Sequence, residues 1–369
     1  MESYKFYICF LLFCGSNIIL IPNGCLAEMC LQKLHDALFV FGDSLFDVGN
    51  NNYINTSYDN QANYAPYGEN FFKYPSGRFS DGRVIPDFIA EYAKLPLIQP
   101  YLFPGNQGYI KGVNFASGGS GALVETQQGL VIDLKTQLSH FKRVIKFLRQ
   151  KLEDEETKSL LARAVYLINI GPNDYFGTLT GNSNVIASKS PENFVDMVIG
   201  NLTDVVKEIH NQGGRKFGFL TLGPLGCAPV VKLLVNGSGP CREQVTAIVK
   251  LHNTALAFEL QKLEKQLKGF KYSLTNLYDL GLEVMNDPSK YGFREWGVAC
   301  CGSGPYRGYP SCGGKSIMKD YELCENANEY FFFDYGHPTE RANELIAQFI
   351  WNGNHTITGP HNLKSLFQQ

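Results

Sequence analysis

The sequence predicts an α/β fold, a parallel sheet covered by helices on both faces. Three observations predict it. Short, nearly unbroken apolar runs of strand length recur along the 369 residues; amphipathic stretches of helical period separate them; and no internal repeat, low-complexity tract or linker-like shift in composition divides the chain. A strand that is apolar throughout is buried on both faces, which a sheet between two helical layers provides. A composition with 44% apolar residues, 26 Phe and 20 Tyr supports a sizeable core and argues against disorder. The formal net charge is −2 and no basic stripe is present, which argues against binding that neutralises nucleic-acid phosphates.

The first thirty residues read as an address. Lys5 precedes an apolar run from Phe6 to Phe13, and a second apolar patch covers Ile18 to Ile21. Cys25 and Ala27 occupy the small-residue positions that signal peptidase accepts, so residues 1–27 are expected to be a signal peptide cleaved before Glu28. Gly15, Ser16 and Asn17 interrupt the stretch and leave it short of the roughly 20 residues that span a bilayer. Residues 28–369 are then expected to be one secreted domain without a stable membrane anchor, its oligomeric state left open.

Five runs read as buried strands: residues 37–41, 113–116, 165–170, 217–222 and 272–277. Leu134, Leu138, Phe141, Ile145, Leu148 and Leu152 mark a helix between the second and third. Phe194, Val198, Leu202, Val205 and Ile209 mark another, stopped by Gly213 and Gly214. Val245, Val249, Leu256, Leu260 and Leu263 mark the next, stopped by Gly269. An aromatic run at 330–333 reads as a further strand, followed by a helix over 341–351. In such folds the chemistry sits at the carboxyl ends of the strands.

The first strand runs into Gly42-Asp43-Ser44-Leu45, then Phe46-Asp47-Val48-Gly49-Asn50-Asn51. A glycine lets the chain turn sharply and lifts the following serine to the rim of the sheet, although a strand–helix loop with a serine cap has the same local sequence. The lipase elbow Gly-x-Ser-x-Gly is not met, because its fifth position is Phe46. After the second strand, Ser117-Gly118-Gly119-Ser120-Gly121 can expose backbone N–H groups to an anion; no Gly-Lys-Ser/Thr follows to make it a phosphate loop. After the third strand, Gly171-Pro172-Asn173-Asp174-Tyr175 is turn sequence whose asparagine can set an amide over the same crevice. The 330–333 run ends in Asp334-Tyr335-Gly336-His337-Pro338-Thr339-Glu340. Pro338 and Glu340 suit the first and third helical positions, which makes His337 the expected cap of the last helix. Asp334 is close enough in sequence to bond one imidazole nitrogen and leave the other facing the crevice.

Seven cysteines follow the expected cleavage point, and in an oxidising compartment they read as disulfides. Cys227 and Cys241 close a Gly/Pro-rich loop. Cys300, Cys301, Cys312 and Cys324 supply two more bridges, with adjacent Cys300 and Cys301 taking different partners. Cys30 is left over. The C-x-x-C spacing of zinc sites is absent, the remaining histidines show no ligand spacing, and His252 sits on an apolar helix face. No metal or cofactor is expected. Asn55, Asn201, Asn236 and Asn354 head Asn-x-Ser/Thr sequons and are candidate glycosylation sites, Asn201 the weakest because it adjoins an apolar helix face.

Five segments taken together, FGDSLFDVGNN at 41–51, PSGRFSDGRVIPDFIA at 75–90, GVNFASGG at 112–119, GPNDY at 171–175 and DYGHPTE at 334–340, resemble the plant-type GDSL esterase/lipases of the SGNH hydrolase family. The likeness covers nearly all the mature chain and departs from the family pattern at none of these positions. It implies a three-layer α/β/α sandwich around a five-stranded parallel sheet of flavodoxin-like order. It implies that Ser44, His337 and Asp334 form a catalytic triad, with an oxyanion hole from Ser44, Gly119 and Asn173. The implied function is hydrolysis of lipid or other acyl esters through an acyl-enzyme, by a protein of the apoplast or cell wall. Acyl transfer to an alcohol is the alternative with the same residues, and an ester-binding protein without catalysis is a third reading.

Overall fold

The computed structural model describes residues 36–106, 108–179, 190–233, 241–313 and 320–369. The segment 1–27 expected to be a signal peptide, Cys30 and the sequon at Asn236 lie outside the described residues. In chain order the strands are β1 (Leu38–Gly42), β2 (Gly112–Asn114), β3 (Val165–Asn169), β4 (Lys216–Leu220), β5 (Lys271–Thr275), β6 (Cys301–Gly302), β7 (Glu322–Leu323) and β8 (Thr358–Pro360). The main sheet runs β2-β1-β3-β4-β5-β8, parallel except for the antiparallel last pair. The five expected strands therefore stand in the doubly wound order, and the count is corrected to six. The edge strand β8 was missed because three residues of Thr-Gly-Pro carry no apolar signal.

Each strand feeds two cores through its period of two. On β1, Phe39 and Phe41 point into one core, built with helices Leu134–Lys151, Pro191–Asn211 and Glu243–Gln266. Leu38 and Val40 point into the other, built with helices Ile85–Tyr92, Leu277–Asn286 and Glu340–Asn352. Of these helices, 85–92 and 277–286 were not foreseen; both are short, and the second was partly absorbed into the expected fifth strand. A smaller cluster of Tyr67, Phe79, Phe333, Cys300, Cys301 and Cys312 sits apart from both.

Two further expectations are corrected near the last helix. Residues 330–333 form no strand of the sheet: they make isolated bridges, with Cys300 and Cys301 donating to the Phe332 and Phe333 carbonyls at 2.9 and 2.7 Å. Their partners are loops and the first residue of the two-residue β6, outside the main sheet, so an aromatic run that reads as a strand serves here as a buried loop edge. The last helix is capped by Thr339, whose hydroxyl accepts from the Ala342 N–H at 3.2 Å; His337 is not the cap. A threonine two residues further on does the capping better, and His337 is left in the turn. The bridges are Cys227–Cys241, Cys300–Cys324 and Cys301–Cys312, which settles the pairing that spacing left open.

Candidate active site

The site begins with Gly42, the last residue of β1. Its φ of +153° and the 2.3 Å that would separate a Cβ from the Asn169 carbonyl exclude a side chain there. Buried Gln137 clasps this residue, accepting from the Gly42 N–H and donating to its carbonyl, both at 2.9 Å. With the strand end held, Ser44 emerges half-buried at the rim.

The turn Asp334–His337 arrives opposite it. With its proton on Nδ1, the His337 ring donates to the Asp334 carboxylate, whose oxygens both lie at 2.8 Å, and Nε2 accepts from the Ser44 hydroxyl at 2.8 Å. Asp334 is wholly buried, and Oδ1 also accepts the Gly336 and His337 N–H groups at 2.9 and 2.8 Å. Burial alone would raise its pKa; the His337 charge and these hydrogen bonds outweigh it and hold the carboxyl below its ordinary value. The Phe79 ring lies against His337 at 4.7 Å between centroids.

Gly119 and Asn173 line the same cavity of about 750 Å³ as Ser44 and His337. Gly119 has φ +82°, and a Cβ there would strike the Asn60 side chain. Among the described residues neither its N–H nor that of Ser44 donates to another group, whereas the Gly118 N–H is taken by Asp47 at 3.0 Å. Gly118 and Gly121 do not line the cavity, so Gly119 is the glycine placed beside the serine. One hydrogen of the Asn173 amide goes to the Ser120 carbonyl at 3.0 Å, leaving a second for an oxygen in the cavity. Ser117 and Ser120 are fully buried and donate to Asn51 and to the Gly42 carbonyl.

Several groups that hold this geometry were missed or underread in the sequence. Asp47 accepts from Gly49 and Asn50 at 2.7 Å as well as from Gly118, and Asn50 donates to the Asn114 and Ala116 carbonyls. The polar run after Ser44 therefore ties the first strand-end loop to the second, rather than merely satisfying its own turn. Asp174 likewise accepts from Ala122 and Leu123 at 2.9 and 3.1 Å. Within 75–90, Arg78 is buried in a two-pronged pair with Asp87, and Arg83 and Asp81 anchor Glu340 at the start of the last helix. The signal for these was a density of Asp, Asn and Arg that loops at a surface do not need. His252 is a buried core residue, as expected, with Nδ1 2.7 Å from the Tyr175 hydroxyl.

A hydroxyl at the carboxyl end of a parallel strand, in series with an imidazole and a carboxylate and beside free N–H donors, is the equipment of a hydrolase acting on acyl compounds. Comparison with known proteins agrees. The model of the GDSL-like lipase/acylhydrolase family matches residues 38–350. GDSL esterase/lipase 1 of Arabidopsis thaliana is 54% identical over 94% of this chain and 93% of its own. GDSL esterase/lipase 2 of the same plant is 52% identical over 90% and 89%, and a GDSL lipase of Tanacetum cinerariifolium 47% identical over 94% and 91%. The chain belongs to the GDSL-like lipase/acylhydrolase family. It is a hydrolase of the esterase/lipase type.

Proposed function

We propose that the protein cleaves carboxylic esters by a serine mechanism, with Ser44 as nucleophile, His337 as base and Asp334 as its orienting partner. The observation that carries this reading is the unbroken chain Ser44 Oγ, His337 Nε2, His337 Nδ1, Asp334, with 2.8 Å at each hydrogen bond, whose Ser44 and His337 line the cavity. A serine hydroxyl is a weak nucleophile until a base takes its proton. His337 takes it as Oγ attacks the carbonyl carbon, and Asp334 stabilises the imidazolium that forms. The oxyanion meets the N–H groups of Ser44 and Gly119 and the free amide hydrogen of Asn173; losing one such donor typically costs roughly 10²–10³ in rate. The imidazolium then protonates the departing alkoxide, which leaves Ser44 acylated. Water, deprotonated by the same histidine, releases the acid and restores the serine.

The substrate is a small-molecule or lipid ester, and the protein reaches it outside the cell after losing residues 1–27. Asn55, Asn201 and Asn354 are exposed and remain candidates for glycans, Asn201 included, since it projects outward from its helix. Among the described residues no helix is long and apolar enough to cross a membrane. The test is an ester panel assayed with wild type and Ser44→Ala, with and without competing alcohols and with products weighed by mass spectrometry. Free acid as the product, lost in Ser44→Ala at unchanged melting temperature, is expected. Acylated alcohol as the main product would replace hydrolysis with acyl transfer, and activity surviving in Ser44→Ala would overturn the mechanism.

A further inference from the structure

One buried polar side chain touches the site and has no part in the chemistry above. The hydroxyl of Tyr67, a residue only 3% exposed, donates to Asp334 Oδ2 at 2.7 Å. The Tyr67 ring stands edge-on to Phe333, Tyr64 and Phe79, at centroid distances of 5.3, 5.4 and 6.3 Å. Phe79 carries the contact on to His337. Asp334 Oδ1 is held by backbone N–H groups of its own turn, whereas Oδ2 is held from a residue 267 positions earlier in the chain.

We propose that Tyr67 is a positioning residue for the reaction: its O–H sets the plane of the Asp334 carboxylate and draws off part of its charge, and so holds the His337 ring facing Ser44. The inference rests on the Ser44–His337–Asp334 reading above. A phenol suits the task because it donates one strong hydrogen bond and brings no charge. Burial, with the Asp334 charge, pushes the Tyr67 pKa well up, so it keeps its proton throughout the working range. The other ionisable groups acting on Tyr67 and Asp334 are His337, Tyr64 in the segment that carries Tyr67, and Tyr335 in the turn itself; Asp43, just past the end of β1, acts on His337, and Asp59 on Tyr64 and Tyr335.

Tyr67→Phe keeps the ring and its packing and deletes only the O–H. It is expected to lower kcat/KM about tenfold, chiefly in kcat. It should also move the acidic limb of kcat/KM to higher pH, because a carboxylate relieved of a donor stabilises the imidazolium more. In an Asp334→Asn background the same substitution should cost nothing further, since both changes act through one carboxylate. A fluorotyrosine at position 67, a stronger donor of the same shape, should move the limb the opposite way and serves if Tyr67→Phe does not fold. An unmoved limb in both variants, or full additivity with Asp334→Asn, would overturn the proposal. Ser44→Ala and His337→Ala run alongside: activity surviving in these would sink the triad itself, whereas failure confined to Tyr67 leaves the triad standing.

Discussion

A base that works through one lone pair is disabled by one proton, so the reading of His337 makes a pH prediction with a fixed sign. Protonated imidazole cannot accept the Ser44 hydrogen, and kcat/KM should fall as pH drops through the range in which His337 takes up a proton. His337→Ala should cost several orders of magnitude and flatten that limb. Asp334→Asn should fold and also cost much activity, because an amide no longer stabilises the imidazolium and favours the other tautomer. Steady-state kinetics over pH for the three proteins checks this; an intact acidic limb in His337→Ala would contradict it. Ser44, Gly119 and Asn173 were legible because they follow the ends of β1, β2 and β3, and Asp334 and His337 because an Asp-x-x-His stands ahead of the last helix, where a cap does not require a histidine. Ser44, Gly119, Asn173, Asp334 and His337 all line the cavity or touch those that do. What the sequence hid were the partners brought from far away, Tyr67 beneath Asp334 and Gln137 around Gly42, because spacing along the chain says nothing about contacts between distant segments.

Elements that bury whole faces were read well, and elements defined by their neighbours were not. β1, β3 and β4 are five-residue strands buried at every position, and the long helices carry their apolar stripes over several turns. β8 carries too few distinguishing residues for local pattern to decide, the 330–333 run carries a strand-like pattern without strand neighbours, and in both packing decides instead. The disulfides belong to this scale. Cys300–Cys324 and Cys301–Cys312 pin the segment that hydrogen-bonds to Phe332 and Phe333, immediately before Asp334. A native bridge typically contributes about 2–4 kcal/mol. Reduction should therefore lower the melting temperature clearly, and activity should fall before the sheet melts, since the loop under Asp334 loosens first. Thiol counting with circular dichroism and activity along one reductant series checks this. Activity lost only together with the far-ultraviolet signal would contradict the local role.

Over the whole molecule, burial shifts acids and histidines in opposite directions, and their contributions to stability oppose each other as pH changes. Asp43, next to Ser44, is fully buried with Oδ2 unpartnered, and burial pushes its pKa up to about 7. Burial likewise raises Asp47 and Asp174 to about 6. Between their ordinary values near 3.8 and these raised ones, the folded state holds protons that the unfolded chain has released, so stability falls as pH rises. Asp334 has the opposite sign, but its contribution is lost only as pH drops below about 4. Burial pushes His252 and His140 down to about 3 and about 4, so between those values and the ordinary 6.5 the unfolded chain holds the extra protons and their contribution rises with pH. The acids are therefore read from a difference: measured against wild type, Asp43→Asn should gain in melting temperature as pH rises from 5 to 8, the interval in which the folded wild type gives up the Asp43 proton. A difference in melting temperature between the two proteins that stays flat over that interval would contradict this account of Asp43.

The claim on which the rest depends is that Ser44 is the activated nucleophile of this cavity, and covalent labelling tests it most directly. A fluorophosphonate probe captures only a serine whose hydroxyl is being deprotonated, so peptide mapping after labelling reads the chemistry rather than the geometry. The label is expected on Ser44 alone, slowed severely in His337→Ala and absent from a folded Ser44→Ala. A label on Ser117 or Ser120, or one on Ser44 that His337→Ala leaves undiminished, would contradict the account.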